Sequence, residues 1–139
     1  MKKALRMIDT DYYKYVNVNP KDKHGCDCVI RAIAHATNQT WETTIREMTE
    51  LGIKMGYVLN DEHVYSKYLL SKGFIQCKEP RDACNRKMSV KEWIDGQRTN
   101  KYIIVANVGS HHVTSIIDGQ VHDIWNCSHN TMHKYWIKK

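Results

Sequence analysis

Apolar residues recur every three to four positions through roughly the first two thirds of the chain, and this spacing predicts helices. The pattern places them at residues 27–37, 41–51, 62–72 and 90–97. Each segment follows a residue that can cap a helix N-terminus, and the fourth carries the Ser-x-x-Glu capping box. The capping residues are Asp27, Thr40, Asp61 and Ser89, and we expect Gly52 and Gly73 to end the second and third helices.

The last third of the chain is rich in β-branched and aromatic residues and predicts strands at 102–108, 111–117, 120–125 and 134–138. Asp118-Gly119 between two of these segments is a strong signal for a two-residue hairpin. A short strand is expected at 74–77, and the spacing of Tyr12, Tyr13 and Tyr15 fits an edge strand. Helices followed by an antiparallel sheet predict an α+β fold, as a single domain over residues 1–139.

Composition narrows the class of protein without identifying a chemistry. The 139 residues are 42% hydrophobic and 26% charged, which is ordinary for a globular protein. No apolar run approaches the length of a membrane span, and no apolar signal segment is evident. Five cysteines, an odd number, favour free thiols over a disulfide framework, so we expect a cytoplasmic protein. The net charge of +6 is compatible with nucleic acid, but the basic residues are scattered, with terminal clusters at Lys2, Lys3 and Arg6 and at Lys134, Lys138 and Lys139.

Cys28 falls at the first position of the first predicted helix. Backbone N–H groups and the helix dipole favour negative charge there, and a thiolate is the reactive form of cysteine. Cys28 is therefore a candidate nucleophile, whereas Cys26 lies in the preceding loop. The alternative is that Cys28 is a small buried side chain with no chemistry.

A nucleophilic cysteine needs a base and a group that orients the base, and the hairpin selects them from eight histidines. With Asp118-Gly119 as the turn, His112 shares a sheet face with Asp123, diagonally across the two strands. His111 shares the other face with Asn126. We prefer His112 and Asp123, because a carboxylate fixes the histidine tautomer and stabilises imidazolium; a one-residue slip in register would favour the other pair.

The two stretches GCDCVIRAIAHAT and HHVTSIIDGQVHDIWNCS, in this order, resemble the papain-like cysteine peptidase superfamily, and more closely small phage and bacterial proteins with a G-D-C core. The first stretch also resembles the nucleophile motif of ovarian-tumour-type deubiquitinases, but Gly25 replaces its Asp and Thr114 stands at its orienting position. The residues that carry the closer resemblance are Asp27, Cys28, Arg31, Ala32 and Ile33, then His112, Thr114, Asp118, Gly119, Asp123 and Trp125.

The resemblance implies a papain-like fold in which the N-terminal nucleophile helix and further helices pack on the C-terminal sheet. It also implies a cysteine-dependent acyl hydrolase, a peptidase or isopeptidase, with Cys28, His112 and Asp123 as its catalytic residues, no cofactor and no metal. The substrate would be a protein or peptide, which for a phage-encoded chain includes host proteins in the host cytoplasm. A thiol acyltransferase would use the same residues.

Other functions remain open at the level of sequence. A non-catalytic phage-type protein could keep this fold and sequester a host factor, and a basic nucleic-acid-binding protein is a third hypothesis. A side-chain donor for the oxyanion hole is not evident, because the glutamine usual before the cysteine is missing; Asn19 and His24 are the candidates. Metal binding is disfavoured, since the pairs Cys26/Cys28 and Cys77/Cys84 and the group Cys127/His129/His133 lack structural-zinc spacing. Arg31 is expected to pair with a buried acid.

Overall fold

The computed structural model describes residues 7–97 and 101–139. The basic residues Lys2, Lys3 and Arg6 lie outside the described part of the chain. The elements, in chain order, are β1 (Tyr13–Tyr15), α1 (Cys28–Ala36), α2 (Trp41–Met55), α3 (Glu62–Ser71), β2 (Ile75–Cys77), α4 (Val90–Asp95), β3 (Ile103–Val108), β4 (His112–Ile117), β5 (Gln120–Asp123) and β6 (Met132–Lys138).

The strands form one six-stranded sheet in the order β1-β5-β4-β3-β6-β2. Four of its five strand pairs are antiparallel, but β1 runs parallel to β5, with Tyr13 beside Val121. The expectation of a purely antiparallel sheet is therefore wrong. The parallel pair arises because β1 comes from the start of the chain and reaches β5 through the long helical crossover, as parallel strands require. The edge strand expected around the tyrosines is confirmed, as is the α+β class.

All four predicted helices are confirmed, and their boundaries differ for local reasons. The capping box of Ser89 and Glu92 forms as expected, and α4 ends at Asp95. Helix α2 continues past Gly52 to Met55 and ends at Gly56, whose φ of 81° is the left-handed conformation that glycine adopts readily. Position 52 instead requires glycine because the backbone of Tyr57 approaches it closely. A Cβ at this position would lie 2.5 Å from the Tyr57 carbonyl oxygen.

The hairpin between β4 and β5 has the predicted register. Ile117 lies opposite Gln120, and Asp118 and Gly119 both have positive φ values, 48° and 81°, as a type I′ turn requires. Strand β5 ends at Asp123, two residues earlier than predicted. The backbone N–H of Ile124 donates to the Asp123 side chain at 2.7 Å, so this donor is not available to extend the strand.

Each face of the sheet covers its own hydrophobic core. Helices α1, α2 and α3 pack on one face, where Ile33, Met48 and Leu69 are fully buried against Val105 and Trp136 of the sheet. Helix α4 packs on the other face with Tyr13 and Met132. Because α1 crosses the centre of the first face, its N-terminus lies near the end of the sheet where β4 begins and β5 ends. Within residues 7–97 and 101–139, no helix combines the length and the apolar character needed to cross a bilayer.

A histidine pair joins α1 to β5. The Nε2 atom of His35 lies 2.8 Å from Nδ1 of His122, and the Nε2 atom of His122 lies 3.4 Å from the Gln120 side-chain oxygen. Burial, together with the charge of Lys14, holds the pKa of His35 below its ordinary value. Burial, His35 and Lys14 lower the pKa of His122 to about 4. Both rings are therefore neutral near pH 7, and one ring donates its N–H to the unprotonated nitrogen of the other.

We expect the free energy of unfolding to fall as the pH is lowered from about 6.5 towards 4, because the unfolded chain takes up protons there that the folded histidine pair does not. The contribution of the pair is fully present above the unfolded pKa and is lost as the pH falls towards the folded one. Urea unfolding of His122→Gln, measured at several pH values, should show a smaller slope in this window. His129→Gln, at an exposed position, is the control; equal slopes in all three proteins would contradict the prediction.

Candidate active site

Cys28 is the first residue of α1, and its sulfur meets the backbone of β4. The N–H of Val113 hydrogen bonds to the thiol. Ile117 and Gln120 flank a two-residue turn and exchange backbone hydrogen bonds, so the N–H of Ile117 points towards β5. Because the direction of the N–H alternates along a strand, the N–H groups of Ser115 and Val113 point the same way. The pairing with β5 stops at Ser115, which leaves the N–H of Val113 beyond the end of that strand. The short β5 therefore provides a backbone donor for the sulfur.

His112 and Asp123 come together at the same end of the sheet. His112 Nε2 lies 2.6 Å from Asp123 Oδ2, and Thr114 Oγ1 donates to the same oxygen at 2.6 Å. The ring of Trp125 lies 4.9 Å from the His112 ring, centroid to centroid. The imidazole also hydrogen bonds to the Cys28 side chain. The three side chains singled out from the sequence, Cys28, His112 and Asp123, therefore form one connected cluster.

The electrostatics of the cluster favour a thiolate at Cys28 paired with an imidazolium at His112. Burial alone would raise the pKa of the Cys28 thiol, but the hydrogen bonds from His112 and Val113 and the positive charges of His112 and Arg31 outweigh it and lower the pKa. Burial disfavours the imidazolium of His112, yet its bonds with Asp123, Cys127 and Cys28 raise its pKa to about 11. His112 is thus protonated near neutral pH, and its charge stabilises the thiolate of Cys28.

A buried arginine connects α1 to the carboxylate that contacts His112. Arg31 is 6% exposed and forms an ion pair with Asp27, and its Nη2 atom lies 3.8 Å from Asp123 Oδ1. This confirms that Arg31 pairs with buried acids. Its Nε atom has no hydrogen-bond partner among the described residues.

Asp27 occupies the N-cap position of α1 as predicted, but its side chain makes no capping hydrogen bond. Its carboxylate instead accepts hydrogen bonds from Asn19 at 3.1 Å and Trp41 at 2.9 Å, besides the bond to Arg31. Asp27 therefore connects the loop before α1 to the start of α2. The Asp27 carboxylate makes these bonds in place of a capping bond to the backbone of α1.

A groove of about 510 Å³ opens beside Cys28 and His112. It runs between the start of α3 and the turn that joins β3 to β4. Its remaining lining residues carry no acidic or lysine or arginine side chain: they are Val29, Asn60, Tyr65, Asn107, Val108, Gly109, Ser110, His111, Val113 and His133. The groove thus offers polar and apolar surface without carboxylate, ammonium or guanidinium groups next to the thiol. On the other side of Cys28 lies a small cavity of about 10 Å³, bordered by Arg31 and the histidine pair.

Cys127 is a part of the site that sequence reasoning missed. It is fully buried, and its thiol hydrogen bonds to His112 and Thr114. Burial raises its pKa, so it stays a neutral thiol. In the sequence it stood out only by its spacing from His129 and His133, and no pattern signalled a contact with His112.

The group of Cys127, His129 and His133 considered from the sequence does not form. His129 is exposed, and His133 Nδ1 lies 2.6 Å from Glu79, so neither joins Cys127. Among the described residues, the only group with three potential metal-ligand atoms is His112, Asp123 and Cys127, all within 4.8 Å of one another. We interpret this group as the hydrogen-bond network of the site, because His112 and Asp123 bond directly to each other.

The alternative pair of His111 and Asn126 is not brought together. His111 is exposed, while the Asn126 side-chain oxygen accepts hydrogen bonds from the backbone and side chain of Ser128. The two candidate oxyanion donors are also engaged elsewhere. Asn19 donates to Asp27, and His24 Nε2 lies 3.2 Å from the Tyr15 hydroxyl.

Comparison with protein-family models, with curated protein sequences and with solved structures gives no match for this chain. We therefore infer the function from the geometry of the site.

We expect iodoacetamide to alkylate Cys28 faster than the other thiols at pH 6–7, because its pKa is lowered and thiolate persists at lower pH than for an ordinary cysteine. Peptide mapping by mass spectrometry measures the rate at each cysteine. His112→Ala should move the pH midpoint of Cys28 alkylation upward. Exposed Cys26 and Cys84 are internal controls in the same chain; a Cys28 midpoint equal to theirs would refute the charged pair.

Arg31→Ala should destabilise the protein by about 3–5 kcal/mol, because it leaves the buried Asp123 and the partly buried Asp27 without their cation. Urea unfolding measures the difference. Arg81→Ala is the matched control, since its ion pair with Glu79 is more exposed and contributes about 1 kcal/mol or less. Equal losses for the two variants would show that the buried network does not stabilise the fold.

Proposed function

We propose that this protein is a papain-like cysteine hydrolase that cleaves peptide or isopeptide bonds. The observation that carries the proposal is the connected cluster of Cys28, His112 and Asp123, in which the cysteine starts a helix and the other two lie on adjacent strands. This is the arrangement that nucleophilic catalysis by a cysteine needs: a nucleophile, a base in contact with it and a third group that orients the base.

In the proposed reaction the Cys28 thiolate attacks the substrate carbonyl carbon, and a carbon–sulfur bond forms as the carbonyl electron pair moves to oxygen. When the tetrahedral intermediate collapses, the carbon–nitrogen bond breaks and His112 gives its proton to the leaving amine. His112 then takes a proton from water, whose oxygen attacks the thioester and releases Cys28 and the carboxylic acid. Asp123 holds the ring and stabilises the imidazolium through its 2.6 Å hydrogen bond.

The surroundings of the cluster support a peptide substrate. The groove beside Cys28 is open to solvent on one side and is lined by polar and apolar groups with no acidic, lysine or arginine side chain, which suits an extended chain of uncharged amide groups. All five cysteines are free, which fits a reducing compartment such as the cytoplasm. An acyltransferase would follow the same first steps, with an amine or alcohol in place of water.

Cys28→Ala, His112→Ala and Asp123→Asn should each lower hydrolysis of a fluorogenic peptide library. We expect activity to be abolished by the first change and to fall by about 10²–10⁴ for the second, the usual contribution of a positioned acid–base group. The Asp123→Asn variant should also alkylate Cys28 more slowly at pH 6–7, because the imidazolium loses its anionic partner.

Two matched variants control for general damage. Cys26→Ala removes an exposed thiol two residues before the nucleophile, and His129→Ala removes an exposed histidine; both should retain wild-type turnover. A Cys28→Ala protein that kept full biological effect would overturn the proposal in favour of a non-catalytic binding protein. Binding to nucleic acid that weakened steeply with salt and did not depend on Cys28 would favour the third hypothesis.

A further inference from the structure

Asn107, in β3, lies directly opposite the residue of β4 whose backbone contacts the Cys28 sulfur. It is the register partner of Val113, whose N–H hydrogen bonds to the Cys28 sulfur. Side chains of directly opposite residues lie on the same sheet face, with Cβ atoms about 4.5–5.5 Å apart. Asn107 and Cys28 also line the same groove. The Asn107 side chain therefore lies on the same sheet face as the Val113 side chain and borders the groove that Cys28 also lines.

The Asn107 amide is held in one orientation by two residues of α3. Its side-chain oxygen accepts a hydrogen bond from the Tyr65 hydroxyl at 2.9 Å, and its Nδ2 atom donates to Glu62 at 3.0 Å. The other carboxylate oxygen of Glu62 accepts a hydrogen bond from Lys134 Nζ at 2.6 Å, which holds the Glu62 side chain in place. A flipped amide would place its oxygen against the Glu62 carboxylate and lose that hydrogen bond, so Glu62 fixes the orientation of the amide.

This orientation leaves one amide hydrogen of Asn107 uncommitted. The Nδ2 atom carries two hydrogens, of which Glu62 accepts one, and no other partner is found among the described residues. The amide is anchored and borders the groove. It is therefore a preorganised donor, the kind of group that stabilises charge developing on a carbonyl oxygen.

We propose that Asn107 supplies the side-chain donor of the oxyanion hole, in the role for which Asn19 and His24 were the sequence candidates. The inference rests on the proposed hydrolase function. As Cys28 attacks, the carbonyl electron pair moves onto oxygen, and the free Nδ2 hydrogen of Asn107 donates to that oxygen. The backbone N–H of Cys28 at the start of α1 is the second donor. No proton is transferred from Asn107, and the bond is released when the carbonyl re-forms.

Tyr65 and Glu62 are positioning residues in this scheme. Burial, with the negative charges of Glu62 and Cys28, raises the pKa of Tyr65 to about 12, so its hydroxyl stays protonated and keeps donating to Asn107 across the working pH range. The edge-on contact of Tyr65 with Trp136, at 5.4 Å between centroids, fixes the ring.

The test compares two reactions of the same thiolate. Acylation of Cys28 by p-nitrophenyl acetate passes through an oxyanion, whereas alkylation by iodoacetamide does not. Asn107→Ala should lower the acylation rate by about 10²-fold, the usual loss for one oxyanion donor. Its alkylation rate should stay within about threefold of wild type, because the thiolate and its imidazolium partner are untouched. Tyr65→Phe, which keeps the ring but frees the amide, should lower acylation by a smaller factor and also spare alkylation.

The outcomes separate this inference from the proposed function. If wild-type Cys28 is acylated and Asn107→Ala is acylated equally fast, Asn107 is not an oxyanion donor and the hydrolase proposal stands. If wild-type acylation is not selective for Cys28, the proposed function itself fails. If Asn107→Ala loses acylation and alkylation alike, Asn107 is structural and the inference is wrong; circular dichroism of each variant checks that the fold is intact.

Discussion

The carboxylate of Asp123 is the point on which the arrangement of the site depends. One oxygen accepts hydrogen bonds from His112 and Thr114, and the other accepts the backbone N–H of Ile124 and faces Arg31. The residue's own carbonyl oxygen accepts the Tyr13 hydroxyl at 3.0 Å and the Val16 N–H at 2.9 Å. A buried carboxylate is costly unless it is hydrogen-bonded in this way. Its partners come from β1, β4 and α1, so satisfying it fixes these elements relative to one another.

Arg31 extends this constraint to Cys28. Because the same guanidinium meets Asp27 and Asp123, the start of α1 and the end of β5 are bound to one cation. Asp27 passes the connection on to the preceding loop and to Trp41 of α2. The position of Cys28 is thus set by charge pairing around it as well as by the apolar packing of α1 against Val105 and Val113.

Much of the fold and of the site could be predicted from the sequence, because these parts depend on patterns among residues that are close together in the chain. The hairpin turn fixed which of two neighbouring histidines shares a face with Asp123, and the caps at Thr40, Asp61 and Ser89 marked helix starts. Contacts between residues far apart in sequence left no such signal. Cys127 beside His112, Asn107 beside Val113 and the parallel pairing of β1 depend on how the elements pack in three dimensions. Gly52 was misjudged because its small size serves a tertiary contact with the backbone of Tyr57.

The early end of β5 affects the pKa of the Cys28 thiol. One more pair of ladder bonds would satisfy the Val113 amide with a carbonyl group, and the sulfur of Cys28 would lose a donor that now lowers its proton affinity. A longer strand would therefore stabilise the sheet and at the same time raise the pKa of the Cys28 thiol. In this chain, the length of a four-residue strand and the acidity of a distant thiol cannot be changed independently.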